Sequence, residues 1–126
     1  MTAYRTPLKN VRGLGSAGHG TEHFWLQRVT AAANIVLIAS LVYAALTLAG
    51  ASRAEVKVFF SSPIAAVLGV LFAISVSVHM RIGMQVIIED YVHGASIVPM
   101  LLLNTFFSIF VGAATALAVT KLFLGV

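Results

Sequence analysis

The chain of 126 residues contains no cysteine. A disulfide framework is therefore excluded, and so is an iron–sulfur cluster or a zinc site held by thiolates. Any redox centre bound by this protein must use histidine ligands or belong to a partner. Four histidines are present, so a histidine-ligated centre stays open.

Charge is also scarce. Charged residues make up 10% of the chain and hydrophobic residues 60%, with a mean hydropathy of +0.98. Soluble domains carry roughly 25% charged residues, so this chain could not cover its own surface in water. We expect the lipid bilayer to be its solvent. The net charge of +4 does not indicate nucleic-acid binding, because the cations are scattered rather than clustered in a stripe.

Long apolar runs take the place of charge. The chain is free of Asp, Glu, Lys and Arg over 29–49, 58–80 and 97–120. Each run reaches the roughly 20 residues that a helix needs to cross ~30 Å of hydrocarbon. The polar stretch before the first run is too long for a signal peptide. We therefore predict an all-α integral membrane fold in which three transmembrane helices form an anchor over 29–126, preceded by a cytoplasmic or interfacial segment, 1–28.

The cations predict the orientation of these helices. Five of them fall on the side of the N-terminus and of the loop after the second span, whereas three fall on the opposite side: Arg5, Lys9, Arg12, Arg28 and Arg81 against Arg53, Lys57 and Lys121. Because Lys and Arg accumulate on the cytoplasmic side of membrane proteins, we predict a cytoplasmic N-terminus.

Small residues recur at every fourth position in two of the spans. They are Ala65, Gly69, Ala73 and Ser77 in the second span, and Ser108, Gly112, Ala116 and Thr120 in the third. Stripes of this kind let helix backbones approach closely in lipid. We expect the second and third helices to pack along them.

The residues that could bind a cofactor or transfer protons are concentrated at the end of the second span. If this helix continues to residue 90, giving a span of 58–90, His79 lies roughly 15 Å below its end. At 100° per residue, His79, Gly83, Val86 and Asp90 share one face, nearly opposite the stripe that ends at Ser77. We therefore expect the stripe to pack within this chain and the other face to present the imidazole.

An intramembrane histidine has two explanations. One is a neutral imidazole hydrogen-bonded to a neighbouring helix. The other is an axial haem ligand, in which His79 binds the iron and Gly83 leaves room for the macrocycle. Ionisable groups inside membranes usually mark function, and Arg81 and Gln85 could pair with haem propionates.

The remaining histidines do not offer an obvious second haem ligand. Neither the first nor the third span contains a histidine, while His19 and His23 precede the first span and His93 follows the second. None of them is expected to reach the depth of His79. A six-coordinate haem would therefore take its second ligand from another chain. His19 and His23, four residues apart, could also hold a metal, but nothing nearby supplies further ligands.

Glu89, Asp90 and Tyr91 at the helix end also have two explanations. They are either an interfacial aromatic anchor beside solvated carboxylates, or part of a quinone site. In the second case the phenol donates a hydrogen bond to a quinone carbonyl, and a carboxylate tunes or relays protons.

The segment 79–91 closely resembles the signature of the hydrophobic membrane anchor subunit of succinate dehydrogenase. In that signature a histidine is followed by a glycine four residues later, and by Asp-Tyr eleven and twelve residues after the histidine. His79, Gly83, Asp90 and Tyr91 match it. The segment 28–31, Arg-Val-Thr-Ala, also resembles the start of the family's first helix. The Arg-Pro-x-Ser-Pro and Ser-x-x-His-Arg patterns of the partner cytochrome b subunit are absent from the sequence.

The resemblance implies a subunit that is not an enzyme by itself. His79 would bind the iron of one haem b, shared with the cytochrome b subunit. The two membrane subunits would dock the iron–sulfur subunit, which carries the flavoprotein subunit, and electrons from succinate would reach ubiquinone. Tyr91 would be the quinone hydrogen-bond donor with Asp90 beside it, Arg28 would lie near the propionates or the quinone, and Arg81 is a further propionate candidate. The location would be the bacterial plasma membrane or the mitochondrial inner membrane.

Three alternatives stay open. A fumarate reductase anchor has the same architecture and the opposite physiological direction. A transporter or channel subunit would line several spans with polar residues, whereas the first and third spans offer only Asn34, Asn104 and a few hydroxyls. A cofactor-free assembly subunit leaves the stacked His79 and Gly83 unexplained.

Overall fold

The computed structural model describes residues 6–8 and 20–126, so most of the predicted segment 1–28 lies outside the described residues. The regular structure of the described part is helical, with elements α1 (Gly20–Thr47), α2 (Arg53–Phe60), α3 (Pro63–Tyr91), a 3-10 turn (Gly94–Ser96) and α4 (Ile97–Leu124). Helices α1, α3 and α4 are long and apolar enough to cross a membrane. This confirms the predicted all-α membrane fold with three transmembrane helices.

The three long helices extend beyond the apolar runs of the sequence. They contain 28, 29 and 28 residues, which corresponds to about 42 Å each and exceeds the ~30 Å hydrocarbon layer. Helix α1 begins at Gly20 rather than near residue 29, and it carries Glu22 in its first turn. A carboxylate there is favourable because the N-terminus of a helix is its positive end. Each apolar run of the sequence therefore marks the membrane-embedded part of a longer helix.

A short amphipathic helix, α2, separates α1 from α3. Ser52 caps it: its backbone N–H donates to Oε2 of Glu55 at 2.6 Å, and the N–H of Glu55 donates to Oγ of Ser52 at 3.4 Å. The Ser52 hydroxyl also donates to Oε2 of Glu55 at 2.7 Å, and this bond, together with the one from the Ser52 backbone N–H, lowers the pKa of the Glu55 carboxyl. Helix α2 ends at Phe60, and Pro63 opens α3 at its first turn, where a missing N–H costs nothing. Residues 58–60 therefore belong to α2 rather than to the spanning helix.

Helix α3 is the central helix, and its small-residue face packs against α4. Ala73 and Ser108 are buried, at 3% and 1% exposure. A Cβ placed on Gly112 would overlap the side chain of Ser77, and one placed on Gly69 would lie 3.0 Å from the side chain of Val119. The two predicted stripes thus meet at this interface. Close approach depends most on Gly112, where there is no room for a side chain.

Helix α1 packs against α3 through a stripe of its own. Thr30, Asn34, Leu37 and Ala44 are all buried along one side of the helix. Oγ of Ser75 on α3 donates a hydrogen bond to the backbone oxygen of Thr30 at 3.4 Å. The contact between α1 and α3 therefore mixes apolar and polar side chains.

Substitution of Gly112 should destabilise the bundle selectively. We expect Gly112→Val to lower the stability by about 1–3 kcal/mol, because the added side chain collides with Ser77 and the helices must separate. Ala113→Val is the matched control, since Ala113 is exposed on the same helix. Thermal unfolding of the detergent-solubilised protein, followed by circular dichroism, measures both. Equal melting temperatures for the two variants would contradict close packing at Gly112.

Candidate functional site

The candidate site is a cavity of about 490 Å³ between α1 and α3. The first half of α1 and the second half of α3 supply its walls: His23, Phe24, Gln27, Arg28 and Ala31 from α1, and His79, Ile82, Gln85, Val86 and Glu89 from α3. Because these stretches lie side by side, the beginning of α1 and the end of α3 are at the same end of the bundle. Helix α4 contributes no lining residue, since it packs on another face of α3.

His79 is the partly buried imidazole of this cavity. Its Nδ1 lies 3.1 Å from Oγ1 of Thr30, and its Nε2 lies 3.4 Å from Nε2 of Gln27. Both partners belong to α1, one turn apart. The ring is therefore held between two side chains of the neighbouring helix, and both His79 and Gln27 line the cavity.

The orientation expected for the histidine face is wrong in one respect. We expected the imidazole to face away from this chain, but His79 packs against α1 of the same chain. The reason is that α3 is central: α4 covers the small-residue stripe, and α1 covers the side that carries His79. The sequence left two explanations of His79 open, a hydrogen-bonded imidazole and an iron ligand. The two are compatible, because the hydroxyl of Thr30 contacts Nδ1 and not Nε2.

Gln27 occupies the space in front of His79. Its Nε2 lies 3.3 Å from the position that a Cβ on Gly83 would take, so Gly83 makes room for this amide. Its Oε1 is buried and has no hydrogen-bond partner among the described residues. A buried amide oxygen without a partner is costly. The cavity therefore has an unmet polar requirement next to the histidine nitrogen.

Charges are confined to the outer part of the cavity. The Arg28 guanidinium carbon lies 4.4 Å from the centre of the Phe24 ring, a cation–π contact within α1. On the opposite wall, Oε1 of Glu89 accepts a hydrogen bond from Nε2 of Gln85 at 2.8 Å. Arg28 and Glu89 are both exposed. A ligand in this cavity would meet a cation and a carboxylate at one end and an imidazole further in.

The structure brings together two of the five predicted site residues. His79 and Arg28 line the cavity, whereas Arg81, Asp90 and Tyr91 do not. The backbone oxygen of Arg81 accepts a hydrogen bond from Nδ2 of Asn104 at 2.9 Å, on the side of α4. Tyr91 is 80% exposed at the end of α3, and Asp90 is exposed as well.

The cavity face of α3 differs from the face expected from helical spacing. Of the expected face, His79 and Val86 line the cavity, whereas Gly83 and Asp90 do not. The remaining lining residues of α3 are Ile82, Gln85 and Glu89. Relative to that expectation, α3 is turned about its axis toward α1. Glu89 rather than Asp90 is therefore the carboxylate at the cavity.

Two of the other histidines, His23 and His93, lie within the described residues. His23 lines the cavity from an exposed site on α1, and His93 is exposed after α3. His19 lies outside the described residues. Within residues 6–8 and 20–126 there is no group of three or more His, Asp or Glu side chains that could hold a metal ion.

Sequence reasoning missed Thr30, Gln27 and the cavity position of His23. A signal was present, because His23, Gln27, Thr30 and Asn34 recur at spacings of four and three residues and form a polar stripe along α1. In a helix that is otherwise apolar, such a stripe predicts a polar contact with another helix. What the stripe does not predict is which residue of which helix it meets.

The lining of the cavity offers polar groups at its inner and outer ends. His79 offers a nitrogen at its inner wall, Gln27 offers an unpartnered amide oxygen beside it, and Arg28 offers a cation at the outer end. Histidine nitrogen is a common axial ligand of haem iron. For the described residues, Arg28 is better placed than Arg81 to meet an anionic substituent.

These observations define a class: a three-helix integral membrane subunit with an intramembrane histidine cavity built from two of its helices. Comparison with known proteins is consistent with that class. The family model described as succinate dehydrogenase/fumarate reductase transmembrane subunit matches residues 2–120. The chain belongs to this family.

Two relatives make the assignment more specific. The succinate dehydrogenase hydrophobic membrane anchor subunit of Paracoccus denitrificans is 33% identical over 122 residues, which cover 97% of this chain and 95% of the relative. The subunit of the same name from Rickettsia bellii is 33% identical over 92 residues, which cover 71% of each chain. No solved structure matched this chain. The family resemblance given by residues 79–91 is confirmed.

Proposed function

We propose that this chain is the membrane anchor subunit of a succinate:ubiquinone oxidoreductase, that it binds one haem b through His79, and that it contributes to the ubiquinone-reduction site. The observation that carries the haem proposal is the imidazole of His79. Thr30 contacts its Nδ1, Gln27 contacts its Nε2, and His79 and Gln27 both line a cavity of about 490 Å³. The chain is not an enzyme by itself, because flavin and iron–sulfur clusters belong to its partners.

The residues of this chain would bind and orient the haem. His79 would hold the haem iron through Nε2, the nitrogen that Gln27 contacts in this chain. Arg28 would pair with a propionate at the outer end of the cavity. When bound, the haem would supply a one-electron redox centre inside the membrane. A second iron ligand would come from the cytochrome b subunit, since the other histidine of the cavity wall, His23, is exposed near the start of α1.

The quinone site would lie at the exposed end of α3. Tyr91, at 80% exposure, has a phenol free to be covered by a partner subunit, and it would donate a hydrogen bond to a quinone carbonyl. Asp90 and Glu89 are exposed beside it and could hold protons for transfer from the aqueous side. The iron–sulfur subunit would complete this site, with the flavoprotein subunit bound to it.

The expected orientation of the helices in the membrane supports the same position for the quinone site. The start of α1 and the end of α3 lie at one end of the bundle, and the cation bias assigns this end to the cytoplasmic or matrix side. That side is where an electron donor fed by succinate would dock. The membrane would be a bacterial plasma membrane or the mitochondrial inner membrane. The names of both relatives favour succinate oxidation over fumarate reduction.

The haem proposal is tested by a reduced-minus-oxidised visible spectrum of the affinity-purified complex. We expect a b-type signal in the wild type and its loss in His79→Ala, while the flavoprotein and iron–sulfur subunits still co-purify. His93→Ala is the matched control, since His93 is an exposed histidine just after the same helix. A wild-type complex with flavin and iron–sulfur clusters but without haem would refute the haem proposal and leave the anchor function standing.

The origin of the second ligand is tested by His23→Ala. His23 lines the same cavity as His79, so it is the candidate from within this chain. We expect the variant to keep a six-coordinate, low-spin haem spectrum, because the partner subunit supplies the second ligand. Conversion to a five-coordinate, high-spin spectrum would show instead that His23 is a ligand.

The quinone proposal is tested by Tyr91→Phe. We expect ubiquinone reduction to fall roughly 2- to 10-fold, because a hydrogen bond between neutral groups contributes about 0.5–1.5 kcal/mol. Succinate oxidation with an artificial dye acceptor should survive, because flavin chemistry is untouched. Tyr43→Phe is the control, since Tyr43 is an exposed tyrosine near the other end of the bundle. Equal loss of both activities in Tyr91→Phe would indicate failed assembly and contradict the quinone role.

A further inference from the structure

We infer that Thr30 is a positioning residue for His79: its hydroxyl accepts a hydrogen bond from Nδ1–H and so keeps the lone pair of Nε2 facing the cavity. This inference rests on the proposed function, because the purpose of the free Nε2 is to bind haem iron. The contact itself does not depend on haem, because Oγ1 of Thr30 lies 3.1 Å from Nδ1 of His79 in the chain alone.

The direction of this hydrogen bond follows from counting protons. Oγ1 of Thr30 also lies 2.7 Å from the backbone oxygen of Leu26 and 3.1 Å from that of Gln27. Carbonyl oxygens only accept, and a hydroxyl has a single proton to donate. The shorter contact takes that proton, so the hydroxyl can only accept from His79. Nδ1 must therefore carry the hydrogen, and in a neutral imidazole Nε2 then carries the lone pair.

A second contact leads to the same tautomer. Nε2 of Gln27 lies 3.4 Å from Nε2 of His79. An amide nitrogen donates and does not accept, so it can approach a ring nitrogen favourably only when that nitrogen has a free lone pair. The two neighbours of the ring, both on α1, thus agree on Nδ1–H and a bare Nε2.

The surroundings of Thr30 make the contact rigid. Thr30 is 7% exposed, so water does not compete for its hydroxyl. Its backbone oxygen accepts a hydrogen bond from Oγ of Ser75 at 3.4 Å, one turn of α3 before His79. The chain of bonds from Nδ1–H to the hydroxyl, and from the hydroxyl to a helix carbonyl, strengthens cooperatively. A ligand histidine held in this way is a stronger electron donor to its metal.

The test compares Thr30→Val with Thr30→Ser. Valine keeps the branched shape and removes the hydroxyl, whereas serine keeps the hydroxyl. Thr115→Val is the matched control, because Oγ1 of Thr115 donates to its own helix, at the backbone oxygen of Val111. We expect Thr30→Val to shift the haem midpoint potential of the purified complex to more positive values, since weaker donation favours ferrous iron. Thr30→Ser should restore the wild-type value, and Thr115→Val should not change it.

A second measurement does not depend on haem. In the full chain reconstituted in lipid bilayers with ¹⁵N-labelled histidine, the side-chain nitrogen shifts report the tautomer of His79, with His79→Gln identifying its signals. We expect the Nδ1–H form in the wild type and in Thr30→Ser, and a mixture of tautomers in Thr30→Val.

The outcomes separate this inference from the haem proposal. A single, unchanged tautomer in Thr30→Val would overturn the role of Thr30, whether or not that variant retains haem. An unchanged potential in a haem-loaded Thr30→Val complex would overturn it as well. A wild-type complex without haem would overturn the proposed function instead, and the nitrogen shifts would still decide whether Thr30 sets the tautomer.

Discussion

Hydrocarbon offers no hydrogen-bond partners, and this constraint decides where the polar side chains of the bundle lie. A polar group inside a span is costly unless it finds a partner in the protein. In α1 and α3 that requirement brings Thr30, His79 and Ser75 together, since Thr30 contacts both of the others. In α3 and α4 it brings the Asn104 amide to the backbone oxygen of Arg81. The polar contacts thus set the rotation of each outer helix about α3.

Packing adds a second constraint that acts on distance rather than rotation. Apolar side chains contact lipid as readily as they contact one another, so burial alone does not drive helices together in a bilayer. Close contact between α3 and α4 instead depends on small residues, and Gly112 lies where no side chain would fit beside Ser77. Helix α1, which lacks such a stripe, leaves a cavity of about 490 Å³ between its first half and α3. The site therefore lies at the looser of the two interfaces.

The parts of this structure that a single helix encodes could be predicted from the sequence. Hydropathy identified the three spans, and the spacing of small residues identified the faces that meet between α3 and α4. The start of α1 at Gly20 was missed because hydropathy does not register the polar first turn of a helix outside the membrane. The contact between Thr30 and His79 was missed for another reason. It depends on the relative rotation of two helices, whereas the pattern within one helix gives only its own faces.

The same geometry restricts where a partner can complete the histidine cavity. Helix α4 covers the small-residue face of α3, and α1 covers the side of α3 that carries His79, through the contact with Thr30. If a second membrane subunit supplies a ligand group, as proposed, that group must approach along the open edge between α1 and α3. That edge carries Phe24 and Val86, whose side chains are 51% exposed in this chain. Both are apolar, so a partner helix could displace lipid from them at little cost. A polar side chain on that helix would find in the cavity the hydrogen-bond or metal partner that hydrocarbon does not offer.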